Sequence, residues 1–92
     1  MSKHLTPLEV VERLIAPRKI LGSVLGYKDK AAYNWVNGSK WRQPGDMPPE
    51  ANRRALQYAQ QKAIPLTADH LIFGAKADEI DRLLERRKVA AE

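Results

Sequence analysis

An all-α domain of five to six helices is the fold this sequence predicts, and three observations predict it. Apolar residues recur at three- and four-residue spacing through most of the chain, helix-starting and helix-stopping residues bracket those runs, and strand-like alternation is nearly absent. With 92 residues and 43% hydrophobic content, the chain is sized for one domain with a modest core. It is too short for a two-lobed enzyme with a deep cleft.

The first helix begins in "TPLEVVERLI". Thr6 is its N-cap, Pro7 takes the first helical position, and Glu9 completes a capping box, while Leu8, Val11, Leu14 and Ile15 form one apolar stripe. Pro17 permits a second start. In "RKILGSVLG", Ile20, Leu21, Val24 and Leu25 fall on an inward face and Gly26 stops the helix. After a turn at Tyr27 to Asp29, "DKAAYNWVNG" predicts a third helix, with Asn37 and Gly38 suited to a left-handed C-terminal cap.

The loop "GSKWRQPGDMPP" breaks the periodicity. Pro48 or Pro49 then opens a fourth helix through "EANRRALQYAQQKA", with Ala51, Ala55, Leu56, Ala59 and Ala63 inward and Arg53 and Arg54 on the exposed face. Pro65 interrupts, and Thr67 caps a short fifth helix that buries Leu71, Ile72 or Phe73 and ends at Gly74. The last segment, "AKADEIDRLLERRKVAAE", places Asp78, Glu79 and Asp81 early and Arg86, Arg87 and Lys88 late, complementing the macrodipole of a sixth helix. Asp78 with Arg82, and Glu85 with Lys88, are spaced to pair along its surface.

Charge is unevenly distributed. Residues 1–62 hold 11 Lys+Arg against 5 Asp+Glu, whereas residues 63–92 hold 5 against 6, so the net +5 lies in the first two thirds of the chain. A basic segment of this kind favours a polyanionic partner. Without Cys there is neither a disulfide framework nor a thiolate zinc site. No apolar run approaches a membrane span and the N-terminus lacks a signal-peptide core, so the expectation is a cytoplasmic protein away from the membrane.

Two short helices joined by a Gly-containing turn fit the physical description of a helix-turn-helix. Gly22 supplies a small residue at the crossing, Gly26 supplies the turn, and Ala32 and Trp35 pin the third helix onto the core. Residues 18–37, "RKILGSVLGYKDKAAYNWVN", resemble the helix-turn-helix of Cro/CI-type transcriptional regulators, phage repressors among them. The resemblance rests on "LG" before the turn, Tyr27 with its aromatic body, Ala31 and Ala32 in the next helix, and Trp35 nine residues after Gly26. "GDMPPEANRRALQYAQQKAIPLTADHLIFG" is similar to the downstream part of the same family, and together these cover roughly two thirds of the chain. Lys28 stands where the family carries a Ser or Thr cap, so Asp29 is the expected cap instead.

The resemblance implies a lambda-repressor-like domain over residues 1–74 with the third helix in the DNA major groove, Lys28, Asp29, Lys30, Tyr33 and Asn34 facing base edges. Side-chain chemistry agrees. Asn holds adenine through paired hydrogen bonds, Lys donates to guanine or phosphate, Asp accepts from cytosine, and a Tyr ring touches a thymine methyl. Arg18 and Lys19 at the start of the second helix, with Lys40 and Arg42 in the loop, would sit near phosphates, where they position without specifying. Trp35 is read as core and Tyr33 as exposed. Trp41 either covers the core or wedges beside the nucleic-acid backbone.

An enzyme is not expected. His4 lies near a terminus expected to fray and His70 on a short helix, with no metal-binding spacing, no P-loop and no dinucleotide fingerprint, so no metal, cofactor or small-molecule ligand is implied. Residues 75–92 carry a narrow apolar stripe in which Ile80, Leu83 and Leu84 are candidate dimerisation residues. The expectation is a homodimeric, double-stranded DNA-binding regulator, a repressor acting on an inverted-repeat operator. The alternative is a helical interaction module, such as an antitoxin or adaptor, working through the C-terminal helix.

Overall fold

Thr6 starts the first helix as its local sequence dictates: its Oγ1 accepts from the Glu9 amide at 3.3 Å, and its own amide donates to Glu9 Oε1 at 3.1 Å. That backbone donation holds the Glu9 carboxyl below the ordinary carboxylate range, and Lys3 adds an ion pair at 3.4 Å. The computed structural model describes residues 3–40 and 42–91, the side chains of 87–91 excepted. Among these are α1 (Pro7–Leu14), α2 (Arg18–Val24), α3 (Ala31–Val36), α4 (Pro49–Gln61), α5 (Ala68–Phe73) and α6 (Ala77–Ala91), with a two-residue antiparallel pair of β1 (His4–Leu5) and β2 (Ala75–Lys76). The chain is mostly helical. The strand pair is a short addition that the residue pattern did not announce.

The centre of the core is α1, which packs against α5 and α6. Leu8, Val10, Val11 and Leu14 are all buried, a wider apolar arc than one stripe, because neighbours cover α1 on two sides; Ile15 is only half-buried. Each fully buried Leu or Val contributes about 1.5–3 kcal/mol relative to exposure. In α2 the buried positions are Leu21 and Gly22, followed by Leu25, and Ile20 is 48% exposed. The inward placement of Ile20 is therefore wrong: packing α2 through Leu21 and Gly22 turns Ile20, about 100° from Leu21 and about 200° from Gly22, toward solvent.

Two helix ends differ from expectation. Helix α3 begins at Ala31 with Lys30 in the cap position and no side-chain cap bond, so Asp29 does not cap it. At its other end Asn37 is extended (φ −92°, ψ 143°) and Gly38 has no positive φ, so the left-handed cap is not formed. The loop returns instead, with the Ser39 amide donating to the Arg42 carbonyl at 2.8 Å and the Gly45 amide to the Trp35 carbonyl at 3.1 Å. That second bond satisfies a carbonyl at the helix end that a cap would otherwise serve. Trp41 lies outside the described residues.

In α4, Ala51, Ala55 and Ala59 are buried and Leu56 is half-buried, but Ala63 is exposed with φ +56°. Ala63 is not an inward helical residue; it occupies the left-handed position after the helix. The Ile64 amide donates to the Ala59 carbonyl at 2.8 Å and the Ala63 amide to Gln60 at 3.5 Å, the paired bonds of a Schellman termination. An L-residue there is strained because its Cβ crowds the following carbonyl.

Helix α5 is capped by Thr67, whose Oγ1 accepts from the His70 amide at 3.3 Å, while the Thr67 amide donates to His70 Nδ1 at 3.1 Å. His70 thus plays the part of the usual Glu, buried, with Nε2 3.7 Å from Glu79 Oε1. Of the apolar candidates on α5, Leu71 is buried whereas Ile72 and Phe73 are 63% and 69% exposed. His4 is held rather than frayed: it pairs with Lys76 in the strand register, and its Nε2 donates to the Phe73 carbonyl at 2.8 Å.

The C-terminal segment is built into the same body. Ile80 on α6 has no exposed surface, Leu83 and Leu84 pack partly buried against the core, and the Ala77 amide donates to the Lys3 carbonyl at 2.7 Å. Ile80 therefore belongs to the chain's own interior and offers nothing to a partner. The Asp78–Arg82 pair forms at 3.1 Å, and Lys88 lies among the side chains outside the description. Among the described residues, no helix is long and apolar enough to cross a membrane. Ala63→Gly is expected to raise stability by about 1 kcal/mol through relief of the left-handed strain, read as a higher denaturation midpoint at unchanged m-value.

Candidate functional site

Helices α2 and α3 are joined by residues 25–30, and the geometry of that connection arranges the exposed polar side chains. The Tyr27 amide donates to the Gly22 carbonyl at 2.7 Å and the Gly26 amide to Ser23 at 3.1 Å, a Schellman termination with Gly26 at φ +86°. Here the left-handed position holds Gly, the residue that tolerates it. The turn folds back so tightly that a Cβ on Gly22 would lie 2.3 Å from the Lys28 carbonyl oxygen and 3.3 Å from Ala31 Cβ. No other residue fits there without displacing backbone.

The chain then re-enters helix through bonds from the Ala31 amide to the Lys28 carbonyl at 3.0 Å and from Tyr33 to Lys30 at 3.1 Å. Ala32 and Trp35 turn inward at 0% and 5% exposure. Tyr27 meets the Trp35 ring edge-on at 5.5 Å between centroids. With the inner face so occupied, the remaining side chains of this segment face out. Lys28, Asp29, Lys30, Tyr33 and Asn34 are all exposed, Tyr33 at 47%.

Lys19 of α2 joins them: Lys19, Asp29, Lys30 and Tyr33 line one open concavity of about 500 Å³. Among the described residues, no hydrogen bond or ion pair engages the side chains of Lys19, Lys28, Asp29, Lys30, Tyr33 or Asn34. These six exposed side chains carry three ammonium groups, one carboxylate, a phenol and an amide, donors and acceptors that no other described residue engages. Their net charge is positive.

The other basic candidates are placed differently. Arg18 Nε donates to Glu12 Oε1 at 2.9 Å with its side chain 34% exposed, and Arg42 Nη1 donates to the Asp46 carbonyl at 2.8 Å from a half-buried position. Each would reach a phosphate only by giving up an internal bond. Lys40 is exposed in the loop. Arg54 departs most from its expected solvated place: its guanidinium donates to the carbonyls of Leu25 at 3.0 Å and Gly26 at 3.3 Å, pairs with Glu50 at 2.6 Å, and lies 4.6 Å from the Tyr27 ring centre. The spacing of Glu50 and Arg54 is readable along one helix, but the contact to the turn spans 28 and 29 residues and has no local signal.

His4 and His70 serve the two ends of α5, and among the described residues no group of three or more His, Asp or Glu is placed to hold a metal ion. Neither a family model nor a curated protein nor a solved structure matches this chain. Gly22→Ala is expected to destabilise the fold by about 1–3 kcal/mol, since the added methyl meets backbone rather than a movable side chain. Thermal unfolding measures it, and the same substitution should alter the chemical shifts of residues 26–34 well before those of α1.

Proposed function

We propose that the chain is a sequence-specific, double-stranded DNA-binding transcriptional regulator in which α2, the turn and α3 act as a helix-turn-helix of the Cro/CI type. The observation that carries the reading is the concavity lined by Lys19, Asp29, Lys30 and Tyr33, all exposed and internally unpaired, with Lys28 and Asn34 exposed on the same turn-and-helix segment and Trp35 buried. Helix α3 is six residues long, about 9 Å, so it enters a groove about 12 Å wide by its first turn. The preceding residues Lys28 to Lys30 supply three of the five base-reading side chains.

In this reading Lys28, Asp29, Lys30, Tyr33 and Asn34 address base edges, and Lys19 and Lys40 address phosphates. The protein is a cytoplasmic, non-enzymatic repressor of lambda-repressor-like fold that works by occupying a promoter. It binds as a homodimer, so protection should appear over two half-sites about 34 Å apart. With Ile80 inside its own core, the α6 stripe loses its central residue both for the rival reading of an interaction module and as the dimer contact, so the homodimer has to form without Ile80.

Selection of bound duplexes followed by titration over a range of salt tests this reading. Asn34→Ala or Lys30→Ala should cost about 1–3 kcal/mol at the preferred site and little on random DNA. Lys19→Ala should weaken all duplexes alike and flatten the salt slope by about 1. Absence of any duplex binding at low salt contradicts the function, and equal losses on preferred and random DNA for Asn34→Ala contradict the base-reading assignment.

A further inference from the structure

We infer that Arg54 is a positioning residue that locks the turn between α2 and α3, and through it the register of the proposed DNA-reading face, without touching DNA itself. The inference rests on the DNA-binding reading but concerns a residue of a different helix. Arg54 rises from α4 and places one nitrogen against the Leu25 and Gly26 carbonyls, at 3.0 and 3.3 Å. These carbonyls belong to the C-cap and to the left-handed residue of α2, where no intrahelical donor is left to serve them.

The other side of the guanidinium is fixed by Glu50 Oε1 at 2.6 Å, and its central carbon Cζ lies over the Tyr27 ring, 4.6 Å from the ring centre. Tyr27 in turn meets Trp35 at 5.5 Å, and Trp35 is the buried anchor of α3. A single planar cation therefore ties α4 to the end of α2, to the turn and, through two rings, to the back of α3. The fit is tight enough that a Cβ on Gly26 would lie 2.9 Å from the Arg54 nitrogen.

A fork of donors in one plane makes this possible. Lys carries the same charge on a single ammonium nitrogen, so it cannot hold the two carbonyls from one nitrogen and Glu50 from a second while the centre of the cation lies over the ring. Three of the five guanidinium N–H donors are committed in this way, and a phosphate contact would have to use the remaining two. Arg54 should therefore influence DNA binding through geometry, not through counterion release.

Arg54→Gln and Arg54→Lys in the full chain, held well below the unfolding temperature, supply the test in two arms. In the first, amide exchange at Gly26 and Tyr27 is followed beside that of α1. Both variants should exchange about tenfold faster in the turn with α1 unchanged; unaltered exchange in the turn overturns the inference whether or not the protein binds DNA. In the second, preferred and random duplexes are titrated over salt. Affinity for the preferred duplex should fall about tenfold in both variants while affinity for random DNA and the salt slope stay as in the parent. A slope reduced by about 1 would make Arg54 a phosphate contact, unchanged affinity would make it a stabilising residue only, and full rescue by Lys would make charge the operative property. Each of those results overturns the inference. A parent protein that binds no duplex rejects the functional reading instead, and the exchange arm then judges the lock alone.

Discussion

The structure depends on how closely the end of α2 approaches the start of α3. Gly22 leaves no room for a side chain, since the Lys28 carbonyl occupies the place where one would begin. That approach lets the Tyr27 amide reach the Gly22 carbonyl and the Gly26 amide reach Ser23, closing α2 with a reversal rather than a loop. The reversal sets the rotation of α3 about its axis. Once Ala32 and Trp35 face the core, Tyr33 and Asn34 must face away, because neighbouring positions on a helix are separated by about 100°.

Rigidity behind that face comes from elements distant in sequence. Core residues of α1 sit against α5 and α6, α6 is secured by Ile80, and the β1–β2 pair ties residues 4–5 to residues 75–76. The C-terminal segment is thus a structural member, and removing it would expose core and unpair a strand. A surface backed by packed helices keeps its side chains in register more firmly than one carried on an unsupported loop. The exposed Ile72 and Phe73 lie on α5, apart from the α2–α3 segment in sequence.

Local signals were legible and long-range ones were not. The Thr6–Glu9 box, the Pro49 start of α4, the Thr67 cap and the stop at Gly26 each depend on residues within four positions, and each occurs as the residues suggest. Burial of Trp35 and exposure of Tyr33 followed from helical spacing. Ile20, Ala63 and the Asn37–Gly38 cap depart from the local pattern because periodicity assigns a face without knowing where a neighbour crosses or a loop returns. Asp29 was misjudged as a cap because α3 begins two residues later, with Lys30 in the cap position. His4 was misjudged because its partner, the Phe73 carbonyl, is 69 residues away, and the Arg54 contacts are equally invisible to a local reading. Of the candidate site, the exposed residues of the turn and α3 were readable; the internal bonds of Arg18 and Arg42 needed the folded chain.

Amide and side-chain chemical shifts of the labelled protein, followed as duplex DNA is added at low salt, test the central claim most directly. The largest changes are expected on Lys19 and on residues 28–34, including the Asn34 side-chain amide, with α6 little affected. Changes centred on Ile72, Phe73 or α6, with residues 28–34 silent, would contradict it.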